Sequence, residues 1–128
     1  YREDMLEIFG ASDIFLFPSF QEGLPRAMLE AMASGLPVIC SEIRGNTDLM
    51  GDRWTESENQ RMKLCPGGIM LNHFQDADVW AEALRDMLSR RSSWKEMGEA
   101  CIMRSREFGL DVVEKKMREI YERFTEKE

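Results

Sequence analysis

Two short apolar runs with a helical segment between them set the strongest limit on how this chain can fold. Ile14-Phe15-Leu16-Phe17 contains no polar residue, the pattern of a strand covered on both faces in a parallel sheet. Leu36-Pro37-Val38-Ile39-Cys40 is a second such run, its proline tolerable at a strand start. Pro18 stops the first run. Pro25 fits a first helical turn, where a missing N–H costs nothing. The helix it opens runs to about Ser34, and Gly35 supplies the stop. Strand, helix and strand in this compass form a βαβ unit, with a right-handed crossover expected.

The flanking sequence supplies more helices than strands. Met5, Leu6, Ile8 and Phe9 form a short helical face that ends at Gly10. Asn46-Thr47-Asp48-Leu49-Met50 starts another short helix. Gly51 to Lys63 is polar apart from Trp54 and is expected to be an unstructured connection, of a length usually functional or disordered. Trp54 there either caps the core or marks an interface. Gly67-Gly68-Ile69-Met70-Leu71 predicts a turn and a strand. Three helices follow. Trp80, Ala83, Leu84, Met87 and Leu88 face one way behind a cap at Asp76 or Asp78. Trp94, Met97, Cys101 and Phe108 mark the second. Val113, Met117, Ile120, Tyr121 and Phe124 stripe the third, with Asp111 and Glu114 as its capping box. The reading is one α/β domain over 1–128: an incomplete Rossmann-like parallel sheet with flanking helices.

Composition narrows the function classes. A chain of 128 residues, 43% hydrophobic with mean hydropathy −0.44, suits a single soluble domain. A net charge of −7 without blocks of like charge argues against a general nucleic-acid surface, a local basic pocket aside. Cys40, Cys65 and Cys101 fit neither a disulfide framework nor a zinc signature, so reduced thiols and a cytoplasmic setting are expected. His73 is the lone histidine and has no metal-binding partner nearby in sequence. The ten methionines sit mostly at core spacing. No apolar stretch is long enough for a transmembrane segment. The opening Tyr1-Arg2-Glu3-Asp4 is no signal peptide and resembles the middle of a domain.

The chemistry concentrates in Pro18-Ser19-Phe20-Gln21-Glu22-Gly23-Leu24-Pro25-Arg26-Ala27-Met28-Leu29-Glu30-Ala31-Met32. It follows a strand, where ligands bind in an open α/β sheet, and its two acids, Glu22 and Glu30, are expected to converge on one pocket there. Glu22 precedes the helix, and Gly23 lets a ligand approach the backbone closely. Free N–H groups at the helix start favour a phosphate or an electronegative sugar edge. Glu30 lies on a helix that is apolar over most of its circumference, and there a carboxylate needs a partner. Two vicinal ribose hydroxyls would suit it. A plainer reading stands beside this one. Arg26 and Glu30 are an i, i+4 pair that could neutralise each other in the weaker orientation, and Glu22 could be an ordinary loop acid. Arg44-Gly45-Asn46-Thr47-Asp48, after the second strand, either approaches a base or phosphate or is simple turn chemistry.

Pro18-Ser19, Glu22-Gly23, Glu30-Ala31-Met32-Ala33, Gly35-Leu36-Pro37-Val38-Ile39 and Gly45-Asn46 together resemble the C-terminal half of the family-4, or group 1, glycosyltransferases. The hallmark of that family is two glutamates with seven residues between them, which Glu22 and Glu30 match. The resemblance implies the distal part of a GT-B C-terminal domain, with the first strands and the N-terminal acceptor domain lying outside the chain. It implies retaining transfer of a sugar from a nucleotide-sugar donor to a sugar or lipid-linked acceptor, without a cofactor or metal. Polysaccharide or capsule synthesis and peripheral attachment to a membrane are compatible with it. On this resemblance Glu22 is the catalytic carboxylate beside the donor sugar. Phe20, Gly23, Leu24 and Pro25 line the donor, and Glu30 holds the ribose. Many members carry a glycine where this chain has Pro25, so one phosphate-binding N–H is lost. A nucleotide-sugar epimerase or phosphorylase of the same fold, and a non-catalytic sugar- or protein-binding module, are the alternatives.

Overall fold

The computed structural model describes residues 2–125. In chain order the elements are α1 (Met5–Gly10), β1 (Phe15–Phe17), α2 (Arg26–Ala33), β2 (Val38–Ser41), α3 (Arg44–Met50), β3 (Thr55–Glu56), β4 (Met62–Cys65), β5 (Gly68–Leu71), α4 (Ala77–Ser89), α5 (Trp94–Ser105) and α6 (Leu110–Thr125), with single 3-10 turns before and after α5. The five strands form one sheet in the order β1-β2-β5-β4-β3. β1 pairs with β2 in parallel, Phe15 opposite Val38, and β2 pairs with β5 in parallel. The expected βαβ unit is therefore present.

The sheet is parallel only over those three strands. β4 runs antiparallel to both β3 and β5, so 51–63 is no structureless connection. The segment enters a short edge hairpin whose strands are too brief and polar to announce themselves by alternation. Its turn closes through Ser57, whose Oγ binds Asn59 Oδ1 at 2.7 Å and accepts the Met62 N–H at 3.1 Å. Trp54 stays 43% exposed, with the Lys63 ammonium 4.1 Å from its ring centroid.

Side chains alternate across the sheet. Val38, Cys40 and Met70 face α2, α3 and α5, where Met28, Met32, Leu49 and Cys101 are buried. Ile39, Ile69 and Leu71 face α4, where Val79, Ala83 and Met87 are buried. The methionines at 28, 32, 70 and 87 are thus core side chains. Asp76 accepts the Asp78 N–H at 2.9 Å and caps α4, and Gly35 ends α2 with φ +81.

Several expected burials do not occur. Leu16 is 41% exposed, between the partly buried Phe15 and Phe17, so β1 is not covered on both faces as the apolar run predicts. Leu88 is exposed on α4, as are Val113, Met117, Ile120 and Tyr121 on α6. The Phe124 side chain falls outside the described residues. No capping box forms at α6: the helix starts at Leu110, which puts Asp111 inside the first turn, and Glu114 pairs with Arg118 at 2.9 Å.

Helix α5 packs on the end of α2 through two glycines. A Cβ on Gly98 would lie 2.2 Å from the Gly35 carbonyl oxygen, which is backbone and cannot swing aside. Gly98→Ala is expected to cost about 2 kcal/mol or more through forced separation of α2 and α5. Gly10→Ala, with open space around the added methyl, should leave the urea midpoint nearly unchanged.

Candidate functional site

The loop between β1 and α2 carries the sequence motif, and the first turn of α3 supports it. The Glu22 and Gly23 carbonyls lie so close to Gly45 that a Cβ there would sit 2.8 and 2.2 Å from their oxygens. Only glycine permits that approach. The next residue, Asn46, is fully buried and donates from Nδ2 to the Ser41 carbonyl at 2.9 Å, while its Oδ1 finds no donor among the described residues. Ser41 Oγ in turn donates to the Ser19 carbonyl. At the other end of α3, Arg104 donates to the Leu49 carbonyl at 2.9 Å and to the Asp48 carbonyl at 2.6 Å. Together these contacts fix α3 against both the sheet and α5. Arg44 to Asp48 is therefore a helix, not the loop of simple turn residues that the sequence also allowed.

Against this support Glu22 is half-buried, and its Oε1 accepts from Ser19 Oγ at 2.8 Å. An ionised carboxylate offers about four lone-pair sites, so one internal bond leaves most of its acceptor capacity open. An open cavity of about 690 Å³ lies beside it, lined by Gln21, Glu22, Gly23, Leu24, Arg44, Asp48 and Phe108. A Cβ on Gly23 would meet nothing within 4 Å, so the backbone there is open to close approach. The cavity joins two carboxylates and one guanidinium to apolar surface from Leu24 and Phe108, a set suited to a polyhydroxylated ligand that carries negative charge.

The other residues of the motif take separate places. Pro25 is buried and precedes the first residue of α2. Phe20 is 69% exposed and meets Phe74 edge-on at 5.6 Å, away from the cavity walls. Glu30 is exposed on α2 and is not a wall of that cavity. The helix buries only Met28, Ala31 and Met32, so Glu30 requires no protein partner to neutralise it. No ion pair joins Arg26 to Glu30 among the described residues. Phe108 was legible in the sequence only as a core residue. Its part in the cavity comes from the chain returning after α5, which no local spacing reveals.

The thiols contribute no nucleophile. Burial pushes Cys65 and Cys101 up to about 12 and raises Cys40 as well. The His73 ring bonds to Asn72 Oδ1 at 2.6 Å. Among the described residues no three His, Cys, Asp or Glu side chains are grouped to hold a metal ion, and no helix is long and apolar enough to cross a membrane.

A family model described as glycosyl transferases group 1 matches residues 1–90. Over 50 residues, 39% of this chain and 13% of the relative, the chain is 50% identical to an Escherichia coli UDP-Gal:alpha-D-GlcNAc-diphosphoundecaprenol alpha-1,3-galactosyltransferase. It is 34% identical over 80 residues, 62% of this chain and 20% of the relative, to the O-antigen chain mannosyltransferase B of Escherichia coli. Over 119 residues, 93% of this chain and 25% of the relative, it is 27% identical to a D-inositol 3-phosphate glycosyltransferase of Corynebacterium aurimucosum. The chain thus spans a quarter or less of the length of these relatives. The fold matches the sucrose-phosphate synthase of Thermosynechococcus elongatus with a TM-score of 0.72 at 21% identity, over 94% of this chain and 27% of that one. The mixed α/β architecture is that of part of a GT-B glycosyltransferase.

Two outcomes are expected from the site. Gly45→Ala should displace the Glu22–Gly23 loop, seen as large amide shifts at residues 22–24 and a loss of about 1–3 kcal/mol in stability. The thiols should resist iodoacetamide near pH ~8 until the protein unfolds. Their folded values are raised, so the stability they contribute is complete below the unfolded thiol value of ~8.5. It should fall as pH climbs towards about 12, visible as a declining urea midpoint.

Proposed function

The chain belongs to the glycosyl transferases of group 1, and on that premise we propose that it is the donor-binding part of a retaining glycosyltransferase. In this reading residues 1–128 are the distal portion of the C-terminal domain of a GT-B enzyme whose acceptor domain is carried elsewhere in a longer protein. The observation that carries the proposal is the half-buried Glu22 beside an open cavity, where Gly23 leaves the backbone accessible.

The donor is a nucleotide sugar. Its hexose enters the cavity, where Glu22 accepts hydrogen bonds from the sugar hydroxyls and stabilises positive charge as it develops at the anomeric carbon. Gly23 and Leu24 border the sugar and the distal phosphate, while Phe20 and Pro25, which are not walls of the cavity, have no direct contact in this scheme. Glu30, exposed on α2 and without an ion pair among the described residues, accepts from the two ribose hydroxyls. The spacing of the two acids predicts one shared pocket, but they do not line one cavity; the donor, an extended molecule, is therefore required to reach from the cavity at Glu22 to Glu30 on α2. The C–O bond from the anomeric carbon to phosphate breaks, and the acceptor oxygen bonds to the same face. The acceptor proton passes to the departing phosphate. Metal and cofactor have no assigned role in this scheme. The named activities of the relatives favour an acceptor in a surface glycan, such as a lipid-linked sugar.

In the full-length protein, Glu30→Gln should weaken nucleotide-sugar binding by about tenfold, the value of one good charge-assisted hydrogen-bond pair, with an unchanged circular dichroism spectrum. Calorimetric titration against a panel of nucleotide sugars measures it, and equal affinity of mutant and wild type for every donor would remove Glu30 from the scheme. Residues 1–128 alone should show no transferase turnover with any donor, because the acceptor side of the cleft is not among them.

A further inference from the structure

We propose that Arg44 is the anion-recognition residue of the cavity beside Glu22, binding a phosphate or carboxylate group of the ligand through its guanidinium. The inference deepens the reading of that cavity as a sugar-transfer site and rests on it.

Arg44 lines the cavity together with Glu22 and Asp48 and is the only cation among its walls. Its side chain is exposed and makes no ion pair among the described residues. Asp48 lies one helical turn further on, at the spacing that ordinarily pairs with an arginine, and it too lines the cavity without pairing to it. Arg44 is also the first residue of α3, where a positive charge meets the positive end of the helix dipole and is disfavoured. Arg26 shares that placement at the start of α2, so what singles out Arg44 is its position on the cavity wall beside Glu22.

The position is built as well as uncompensated. The backbone on either side of Arg44 is held by contacts already described. Gly45 is pressed against the Glu22 and Gly23 carbonyls, Asn46 is tied to Ser41, and the far end of the helix is clamped by Arg104. The Arg44 backbone is thus fixed relative to Glu22, as a binding group must be to discriminate. A guanidinium offers a planar fork of donors that matches phosphate and carboxylate oxygens two at a time. Beside two carboxylates that accept hydroxyl protons, it selects for a ligand bearing hydroxyls and one oxyanion. That oxyanion is either a phosphate of the donor or an acidic group on the acceptor.

Arg26 supplies an internal control. It is likewise exposed and the first residue of its helix, but it is not a wall of the cavity. Titrations of the chain followed by NMR of the arginine Nε–H signals, with inorganic pyrophosphate and separately with D-glucuronate, test the assignment. The Arg44 signal should shift saturably with at least one probe. Arg44→Ala should weaken that probe by about tenfold, and Arg44→Lys should recover part of the loss, since it keeps the charge without the fork. Arg26→Ala should bind as wild type does. Dependence on Arg44 with pyrophosphate alone assigns a phosphate, with glucuronate alone a carboxylate, and with both a general oxyanion site. The inference is overturned if neither probe moves the Arg44 signal, or if Arg44→Ala binds both probes as wild type does. Glu22→Gln and Glu30→Gln, titrated with nucleotide sugars in the full-length protein, separate the two levels. If they weaken the donor while Arg44→Ala changes nothing, only the Arg44 assignment fails. If they leave every donor unaffected, the reading of the site itself fails.

Discussion

The site depends on a backbone contact with no side chain in it. Two consecutive carbonyls of the β1–α2 loop rest on the first turn of α3, and the absent Cβ of Gly45 leaves 2.2 Å where any other residue would have an atom. That approach locks the height of Glu22 and Gly23 above the carboxyl end of β1. It also brings Arg44 to the same cavity, because Arg44 is the neighbour of the glycine. Binding group and support are therefore adjacent in sequence, and neither can shift without the other.

The same device recurs where the layers meet. Gly68 has φ +149, and a Cβ on it would lie 1.9 Å from the Val38 carbonyl oxygen, which lets β5 pair with β2 at the start of both strands. Gly98 meets Gly35 and lets α5 close on α2. The cavity inherits its Phe108 wall from that second contact, since Phe108 follows α5 and packs against the core beneath α2. Close backbone packing is costly for any residue with a side chain, so these positions constrain the chain more tightly than the apolar core, whose methionines can adapt.

The sequence was most readable where one local pattern had one physical meaning. The β1–α2–β2 unit was legible because continuous apolar runs bounded by Pro18 and Gly35 leave little else to form. Asp76 as the α4 cap was legible from its place before an amphipathic repeat. The β3–β4 hairpin was not: two- and four-residue strands are too short for alternation, and their pairing is decided by β5. Exposure on α6 was illegible for a different reason, since an apolar stripe signals that a face is to be covered without saying where its cover lies. Within the site, Glu22 and Gly23 announced themselves by motif. The separation of Glu30 from the cavity did not, because helical spacing fixes angle but not what stands opposite.

Charge supplies the last constraint. On the proposed reading, a chain of net charge −7 that takes an anionic donor must offset long-range repulsion with donors placed at the ligand. The start of α2 offers backbone N–H groups for this, but Pro25 has none to give. In the same reading, the guanidinium of Arg44, a wall of the cavity, supplies the donors that the proline lacks, two at a time. A charged fork is a stronger anion partner than a single amide, and it is more selective, since it rewards a planar pair of oxygens. On that reading the missing N–H at position 25 and the guanidinium at position 44 belong to one arrangement, in which a ligand oxyanion is held by a helix-borne side chain rather than by loop backbone.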